Sequence, residues 1–289
     1  LLCTDGISRN MCGLMDRGKS LKEECLTVYL CTGSYGYPSV TLTGDIRKDI
    51  MFVEEIIGVK LALSDHRAPN VTLDELVRLA SDARVAGMLS GKCGMITLHM
   101  GSDDRTLSLV EQALETTSIP IKIFHPTHVT RSRKLLGEAF AFATQGGLID
   151  MTCGSKGESA PSLCVMRAKE QGVPLQNITF SSDGMGSWST YDEAGNLLRI
   201  GYSAVDTVYQ EIKRLVQEYK MPLEEALCFG TSNTARALEI GRKKGHIAPG
   251  MDADLLLMDE DLTMNTVIAG GQVMMEDHVL LKKGTYEAE

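Results

Sequence analysis

The sequence lacks several features that would assign a function class at once. No apolar run approaches the ~20 residues that a membrane-spanning helix needs. There is no G-x-G-x-x-G fingerprint, which argues against a dinucleotide-binding fold built on that motif. None of the eight cysteines forms a C-x-x-C pair, and a chain of 289 residues needs no disulfide staples. We therefore expect reduced thiols and a cytoplasmic protein.

Positive charge is also scarce. The chain has 29 Lys and Arg against 38 Asp and Glu, which gives a net charge of −9. Such a surface repels phosphate backbones, so we expect no nucleic-acid partner. The chain begins at Leu1 without a Met, and LLCTDG resembles the end of a buried strand. We therefore expect a fragment whose first barrel strand lies upstream.

Strand-like runs alternate with amphipathic helical segments, which predicts a parallel sheet with right-handed crossovers. The predicted strands are 1–6, 26–31, 56–63, 95–100, 121–124, 148–153 and 178–182. The predicted helices are 45–57, 72–88, 104–115, 133–144, 161–172 and 205–219. About seven strands favour an incomplete (β/α)8 barrel over residues 1–245. An open doubly wound sheet is the alternative. Short strands joined by Gly and Asp turns predict a small β segment over residues 246–289.

Lys60 stands out because it lies within an apolar strand, IIGVKLAL. Interior lysines are rare unless they are paired or bound. The polar run Ser64-Asp65-His66-Arg67 follows at the strand's C-terminal end, where α/β folds place their chemistry. The alternative is a strand near a sheet edge whose lysine reaches solvent.

Four residues at the ends of different predicted strands could share one site. A barrel brings its strand ends to one mouth, and Lys60, His99, His128 and Asp183 combine ligand types that suit zinc or a similar divalent metal. Each has a plain alternative: His99 as a satisfied buried histidine, His128 as a loop residue and Asp183 as a turn residue. We interpret His125 as packing or support for the site. His66 stays open between support and substrate contact.

The motifs VKLALSDHR, LHMG, PTHVTR and SSDGMGS, with the tail GHIAPGMDADLLLMD, together resemble the amidohydrolase superfamily. With TGSYGYPS, the combination is most similar to the isoaspartyl (β-aspartyl) dipeptidase family, over nearly the whole chain. The tail motif is shared widely among amidohydrolases, and the combination of the other motifs is far more specific. The resemblance implies a (β/α)8 TIM-like barrel of the metal-dependent hydrolase type, with half of a β-sandwich at the C-terminus.

The resemblance also implies the roles of individual residues. Lys60 would be carboxylated and bridge two Zn²⁺ ions, His99 and His128 would bind the more exposed ion, and Asp183 would bind the other. A bridging hydroxide would attack the β-aspartyl peptide bond of a dipeptide, with Asp183 as proton shuttle and Tyr35 as oxyanion stabiliser. The residues implied in substrate binding are Thr4, Tyr35, Arg67, Arg131 and Ser187. We also expect a homo-oligomer and no membrane partner.

One departure from the family pattern is large. The family's first barrel strand ends in His-x-His, which binds the buried metal, and this chain has no His-x-His. We therefore expect at most one tightly bound metal and little peptidase activity from residues 1–289 alone. Two alternatives stay open: a cyclic-amide hydrolase of the dihydroorotase or hydantoinase type, and an inactive barrel subunit.

Overall fold

Parallel β-strands form the centre of the structure, a computed structural model that describes residues 5–68 and 71–284. The first four strands pair in chain order, and the next two form a second parallel pair. The strands are β1 (Leu30–Thr32), β2 (Ile56–Leu63), β3 (Met95–Met100), β4 (Phe124–Thr127), β5 (Ile149–Thr152) and β6 (Ile178–Ser181). A hydrogen bond of 2.6 Å from Thr127 Oγ1 to Asp150 Oδ2 joins β4 to β5. The predicted α/β class with a parallel sheet is confirmed.

Helices alternate with these strands. They are α1 (Met11–Glu23), α2 (Ile46–Phe52), α3 (Leu73–Ser90), α4 (Ser108–Thr116), α5 (Arg133–Thr144), α6 (Pro161–Glu170), α7 (Thr207–Gln217), α8 (Leu223–Leu227) and α9 (Ser232–Ala237). The start of α3 follows from its sequence: the predicted capping box forms, with Thr72 and Glu75 satisfying each other's backbone N–H groups. The helix ends where Gly91 takes a left-handed conformation with φ 70°.

The strand β2 is buried along its whole length. All eight of its residues are buried, and Ile56, Val59 and Leu61 are fully inaccessible. The end of β2 also lies unusually close to the end of β3. A Cβ atom on Gly101 would lie 2.0 Å from the carbonyl oxygen of Ser64, so only glycine permits this approach. The packing therefore brings the polar residues that follow both strands into contact range.

Several sequence predictions were wrong in position. The predicted strand 121–124 is a 3₁₀ turn over Ile121–Ile123, and β4 starts only at Phe124. The backbone N–H of Ile123 donates to the carbonyl of Pro120 and so closes a turn. The predicted helix 45–57 ends at Phe52, because Ile56 already pairs in the sheet.

Other elements were not predicted. These are α1, α8, α9 and a hairpin of β7 (Ser187–Tyr191) and β8 (Leu197–Tyr202). The predicted strand at Leu1 falls mostly on residues 1–4, which lie outside the described residues. In the described part of the chain, no helix combines the length and the apolar character that crossing a bilayer requires.

A four-stranded antiparallel sheet follows α9. Its strands are β9 (Leu255–Met258), β10 (Met264–Ala269), β11 (Gln272–Glu276) and β12 (Val279–Leu280), in the spatial order β12-β11-β10-β9. The side chain of Tyr209 on α7 donates a hydrogen bond to the carbonyl of Leu262, which ties this sheet to the helical layer. The proposed boundary between residues 245 and 246 stays a prediction.

Candidate active site

The site lies at the C-terminal ends of the parallel strands. Lys60 is only 4% exposed although it carries an amine, so the alternative in which it reaches solvent is wrong. Its Nζ atom lies 5.6 Å from the centre of the Tyr35 ring, which follows β1. A buried lysine surrounded by side chains from neighbouring strands is unusual in a structural core, and it marks this end of the sheet as a candidate site.

Two buried imidazoles stand beside each other. The ring centres of His99 on β3 and His128 after β4 are 4.4 Å apart, and the rings are nearly perpendicular. Burial lowers the pKa of His99 to about 3, and Arg131 and Lys60 act in the same direction. Burial also lowers the pKa of His128 well below its ordinary value. Both imidazoles are therefore neutral near pH 7, which is the form that binds metals.

The backbone takes unfavourable conformations at three of the strand ends. Ser64, His128 and Asp183 have φ values of 54°, 63° and 48°, in the left-handed region that non-glycine residues seldom occupy. Each follows its strand by one or two residues, so the chain turns sharply as it leaves the sheet. Strain of this kind persists where surrounding structure enforces it, and it concentrates at functional sites.

Asp65 joins the side chains around this cluster. Its Oδ1 accepts from Arg67 Nε at 2.9 Å, and its Oδ2 accepts from Arg67 Nη2 at 2.7 Å and from His99 Nε2 at 3.0 Å. Arg131 Nη1 lies 3.6 Å from the same Oδ2. Burial alone would raise the pKa of Asp65, but the hydrogen bonds from Arg67 and His99 outweigh it and hold the pKa well below its usual range.

Tyr35 and the two arginines complete the wall of the site. The hydroxyl of Tyr35 lies 2.8 Å from Nδ1 of His99, and the guanidinium of Arg67 lies 5.6 Å from the centre of the Tyr35 ring. Arg131 Nη1 donates to the carbonyl of Met100 at 2.8 Å. The structure thus gathers five of the residues predicted for the site around Asp65 and Lys60.

The remaining predicted residues are placed differently. Burial raises the pKa of Asp183, while the positive charges of Lys60 and Arg131 oppose that shift. Ser187 is exposed at the start of β7. Thr4 lies outside the described residues. The roles assigned to these residues stay predictions.

The donors present fit a divalent metal in their chemistry. The candidates are the neutral imidazoles of His99 and His128, the carboxylate of Asp183 and the buried amine of Lys60, which would need carboxylation to become an oxygen ligand. Within residues 5–68 and 71–284, however, no three His, Cys, Asp or Glu side chains are grouped closely enough to hold a metal ion. The donor set therefore depends on Lys60 as an additional ligand.

Two supporting residues were missed by sequence reasoning. Asp65 was noticed only as part of a polar run, although the Asp-x-Arg spacing could have indicated its bond to Arg67. Thr152 on β5 has its Oγ1 2.6 Å from Nδ1 of His128, and no feature of the sequence pointed to it. His125 is buried with Thr179 Oγ1 3.4 Å from its Nε2, whereas His66 is exposed, with its ring 5.2 Å from that of Tyr191.

The chain is similar to a known protein family and to several solved structures. A model of the amidohydrolase family matches residues 26–284. The crystal structure of a β-aspartyl dipeptidase from Fervidobacterium islandicum AW-1, in complex with β-Asp-Leu, is 40% identical with a TM-score of 0.94, covering 99% of this chain and 76% of that chain. A second β-aspartyl dipeptidase structure from the same organism is also 40% identical, with a TM-score of 0.89, and the match covers 99% and 74%.

A more distant structure shares the fold alone. N-acetylglucosamine-6-phosphate deacetylase from Thermotoga maritima is 16% identical with a TM-score of 0.55, and the match covers 92% of this chain and 76% of that chain. The family match and the dipeptidase structures together confirm the predicted amidohydrolase resemblance and its fold class.

Proposed function

The chain belongs to the amidohydrolase family, and from that premise we propose that it is a metal-dependent dipeptidase acting on β-aspartyl peptide bonds. The observation that carries the proposal is the placement of Arg67 and Arg131 beside the Tyr35–His99 pair. A β-aspartyl dipeptide has a free carboxylate on either side of its scissile amide. Two guanidinium groups beside a hydrolytic cluster match that substrate, since arginine binds carboxylates bidentately.

The 40% identity to a dipeptidase crystallised with β-Asp-Leu supports the same substrate class. Four residues would hold the metal: Lys60 as a carbamate bridging two zinc ions, His99 and His128 at the more exposed position, and Asp183 at the other. When bound, the ions would generate a hydroxide nucleophile at neutral pH and polarise the scissile carbonyl.

The residues of the chain would perform the remaining tasks. Tyr35 would donate its O–H to the carbonyl oxygen as negative charge develops there. Asp183 would accept a proton from the attacking water and return it to the leaving amine. Its pKa, raised by burial, favours this transient protonation. Arg67 and Arg131, with Thr4 and Ser187, would hold the charged ends of the dipeptide.

The test is a substrate comparison on the purified chain, carrying at its N-terminus an added strand that ends in His-x-His and supplied with zinc and bicarbonate. We expect leucine release from β-Asp-Leu and much slower release from α-Asp-Leu, with Asp183→Asn as the inactive control. Faster hydrolysis of dihydroorotate or hydantoin would favour the cyclic-amide alternative. Zinc binding without turnover of any of these substrates would favour a non-catalytic barrel. The cytoplasmic location and the homo-oligomer stay predictions.

A further inference from the structure

We propose that Asp65 is a positioning residue that fixes the tautomer of His99 and the orientation of Arg67 together. The inference rests on the proposed function, because it takes His99 as a metal ligand and Arg67 as a substrate-binding group. It adds a residue for which neither the sequence motifs nor the family resemblance supplied a role.

The geometry makes Asp65 a link between two elements. Its side chain is 2% exposed and follows β2. On its own loop it accepts from the backbone N–H of Arg67 at 2.8 Å and from the guanidinium at 2.9 and 2.7 Å. On the neighbouring strand β3 it contacts Nε2 of His99 at 3.0 Å. One carboxylate therefore sets the relative position of a predicted metal ligand and a predicted substrate-binding group.

The same local turn occurs twice more without a histidine ring attached. Asp45 grips the backbone N–H and guanidinium of Arg47, and Asp103 does the same with Arg105, both at the surface. The Asp-x-Arg turn by itself is thus an ordinary structural device of this chain. Burial and the bond to His99 distinguish Asp65, so its role extends beyond closing a turn.

The hydrogen bonds determine which nitrogen of His99 carries the proton. An ionised carboxylate 3.0 Å from Nε2 requires a proton there, because two lone pairs would otherwise face each other. The arginine nitrogens near Nε2 have other acceptors: Arg131 Nη1 donates to Met100 O at 2.8 Å, and Arg67 Nη2 donates to Asp65. Nδ1 then carries the lone pair and accepts from the Tyr35 hydroxyl at 2.8 Å. Asp65 thus leaves Nδ1 as the metal-binding atom of His99.

The first test is the tautomer itself. Long-range ¹H–¹⁵N NMR on the metal-free wild-type chain at pH 7.5 identifies the protonated nitrogen, with His99→Gln assigning the resonance. We expect the Nε2–H form in the wild type and a shift toward Nδ1–H in Asp65→Asn. A wild-type Nδ1–H form would overturn the proposal, and this result does not depend on whether Asp65→Asn folds.

The second test is zinc affinity, measured by competition with a chelator. We expect Asp65→Asn to bind zinc 10- to 100-fold more weakly, which is the usual effect of losing such an outer partner. Asp103→Asn, which disturbs the matching surface turn, is expected to bind zinc like the wild type. Unchanged tautomer and zinc affinity in Asp65→Asn would reduce Asp65 to a turn residue.

Kinetics on β-Asp-Leu separate the two parts of the role. If Asp65→Asn also frees the Arg67 guanidinium from its fixed position, the variant has a raised KM at saturating zinc. If Asp65 has a purely structural role, the variant changes only the free energy of unfolding. Neither the NMR nor the zinc measurement uses a dipeptide. Absence of peptidase activity from the chain extended by a His-x-His strand would therefore contradict the proposed function while leaving the result for Asp65 readable.

Discussion

The hydroxyl of Tyr35 occupies Nδ1 of His99, the atom that we assign to the metal. Removing the hydroxyl therefore leaves Nδ1 of His99 without this hydrogen bond, while Nε2 keeps its hydrogen bond to Asp65. We expect Tyr35→Phe to keep its zinc while turnover of β-Asp-Leu falls by ~10²-fold or more, as for other lost oxyanion donors. Metal analysis and steady-state kinetics on the same sample measure the two effects. Tyr202→Phe, on the exposed face of the hairpin, is the control, and loss of zinc from Tyr35→Phe would make Tyr35 a structural residue.

Nη1 of the Arg131 guanidinium donates a hydrogen bond to the carbonyl of Met100 and also lies next to Nε2 of His99. An ammonium group cannot hold that carbonyl and grip a carboxylate in the same planar geometry. We expect Arg131→Lys to lower kcat/KM for β-Asp-Leu by ~10-fold or more. Arg133→Lys, whose side chain is 90% exposed, is the matched control. Wild-type kinetics in Arg131→Lys would remove this residue from substrate binding.

The protonation of His99 predicts an acid-sensitive fold. Its pKa is about 3 in the folded chain, against ~6.5 for an unperturbed imidazole. Between these values the unfolded chain binds a proton that the folded chain does not, so stability is complete above pH ~6.5 and declines as the pH falls toward 3. Asp65, with a lowered pKa, loses its contribution in the same direction at more acidic pH. For metal-free protein, the urea midpoint of the wild type should be lower at pH 5 than at pH 7.5. The decrease should be smaller in His99→Gln, and an equal decrease in both proteins would contradict this account.

At the scale of elements, the contact between the ends of β2 and β3 positions the site. A Cβ on Gly101 would meet the Ser64 carbonyl at 2.0 Å and the Asp65 Cα at 2.4 Å. We expect Gly101→Ala to displace the Asp65 turn, lowering both the free energy of unfolding and zinc affinity. Gly137→Ala on α5, where the added methyl group meets nothing within 4 Å, should instead stabilise by roughly 0.5–1 kcal/mol. Urea denaturation compares the two, and an unharmed Gly101→Ala would mean that the backbone there adapts freely.

The elements whose apolar residues follow a clear pattern were located correctly from the sequence. The strand 95–100 and the helix 133–144 were predicted with their observed bounds. The strand is a short apolar run that is buried on both faces, and the helix buries the face that its apolar spacing marks. The hairpin β7–β8 was missed because its residues are mostly exposed, and its sequence therefore shows no pattern of apolar residues that marks a buried face. The strand 121–124 was misplaced because an apolar run fits a turn as well as a strand, and because Pro126 weakens the prediction of β4.

The site could be predicted only as far as its residues have unusual chemistry. Lys60 and His99 stood out because an amine or an imidazole is rare in an apolar strand unless it is paired or bound. Asp65 and Thr152 did not, since aspartate and threonine at a strand end are common in ordinary turns. Their importance comes from contacts with residues 34 and 24 positions away, which no local pattern contains.

For the whole molecule, alternation of strands and helices was enough to predict the α/β class, whereas the division near residue 245 and the oligomeric state stay predictions. If the proposed carbamate forms on the buried amine of Lys60, metal binding is coupled to the stability of the folded chain. A carbamate on Lys60 needs carbon dioxide, and ions that bind the folded chain alone stabilise it by mass action, about 2.7 kcal/mol at 100 times Kd.

We therefore expect zinc to raise the unfolding midpoint of the metal-free chain, and to raise it further when bicarbonate is present. Lys60→Met should lose the bicarbonate effect and most of the zinc effect, because the carbamate ligand cannot form. Lys122→Met, an exposed lysine paired with Glu239, should respond like the wild type. Thermal unfolding with zinc and bicarbonate added singly and together gives the comparison, with ¹³C-bicarbonate labelling to detect the carbamate. Equal zinc stabilisation of the wild type and Lys60→Met would place the metal away from β2 and undo the donor set on which the proposed chemistry depends.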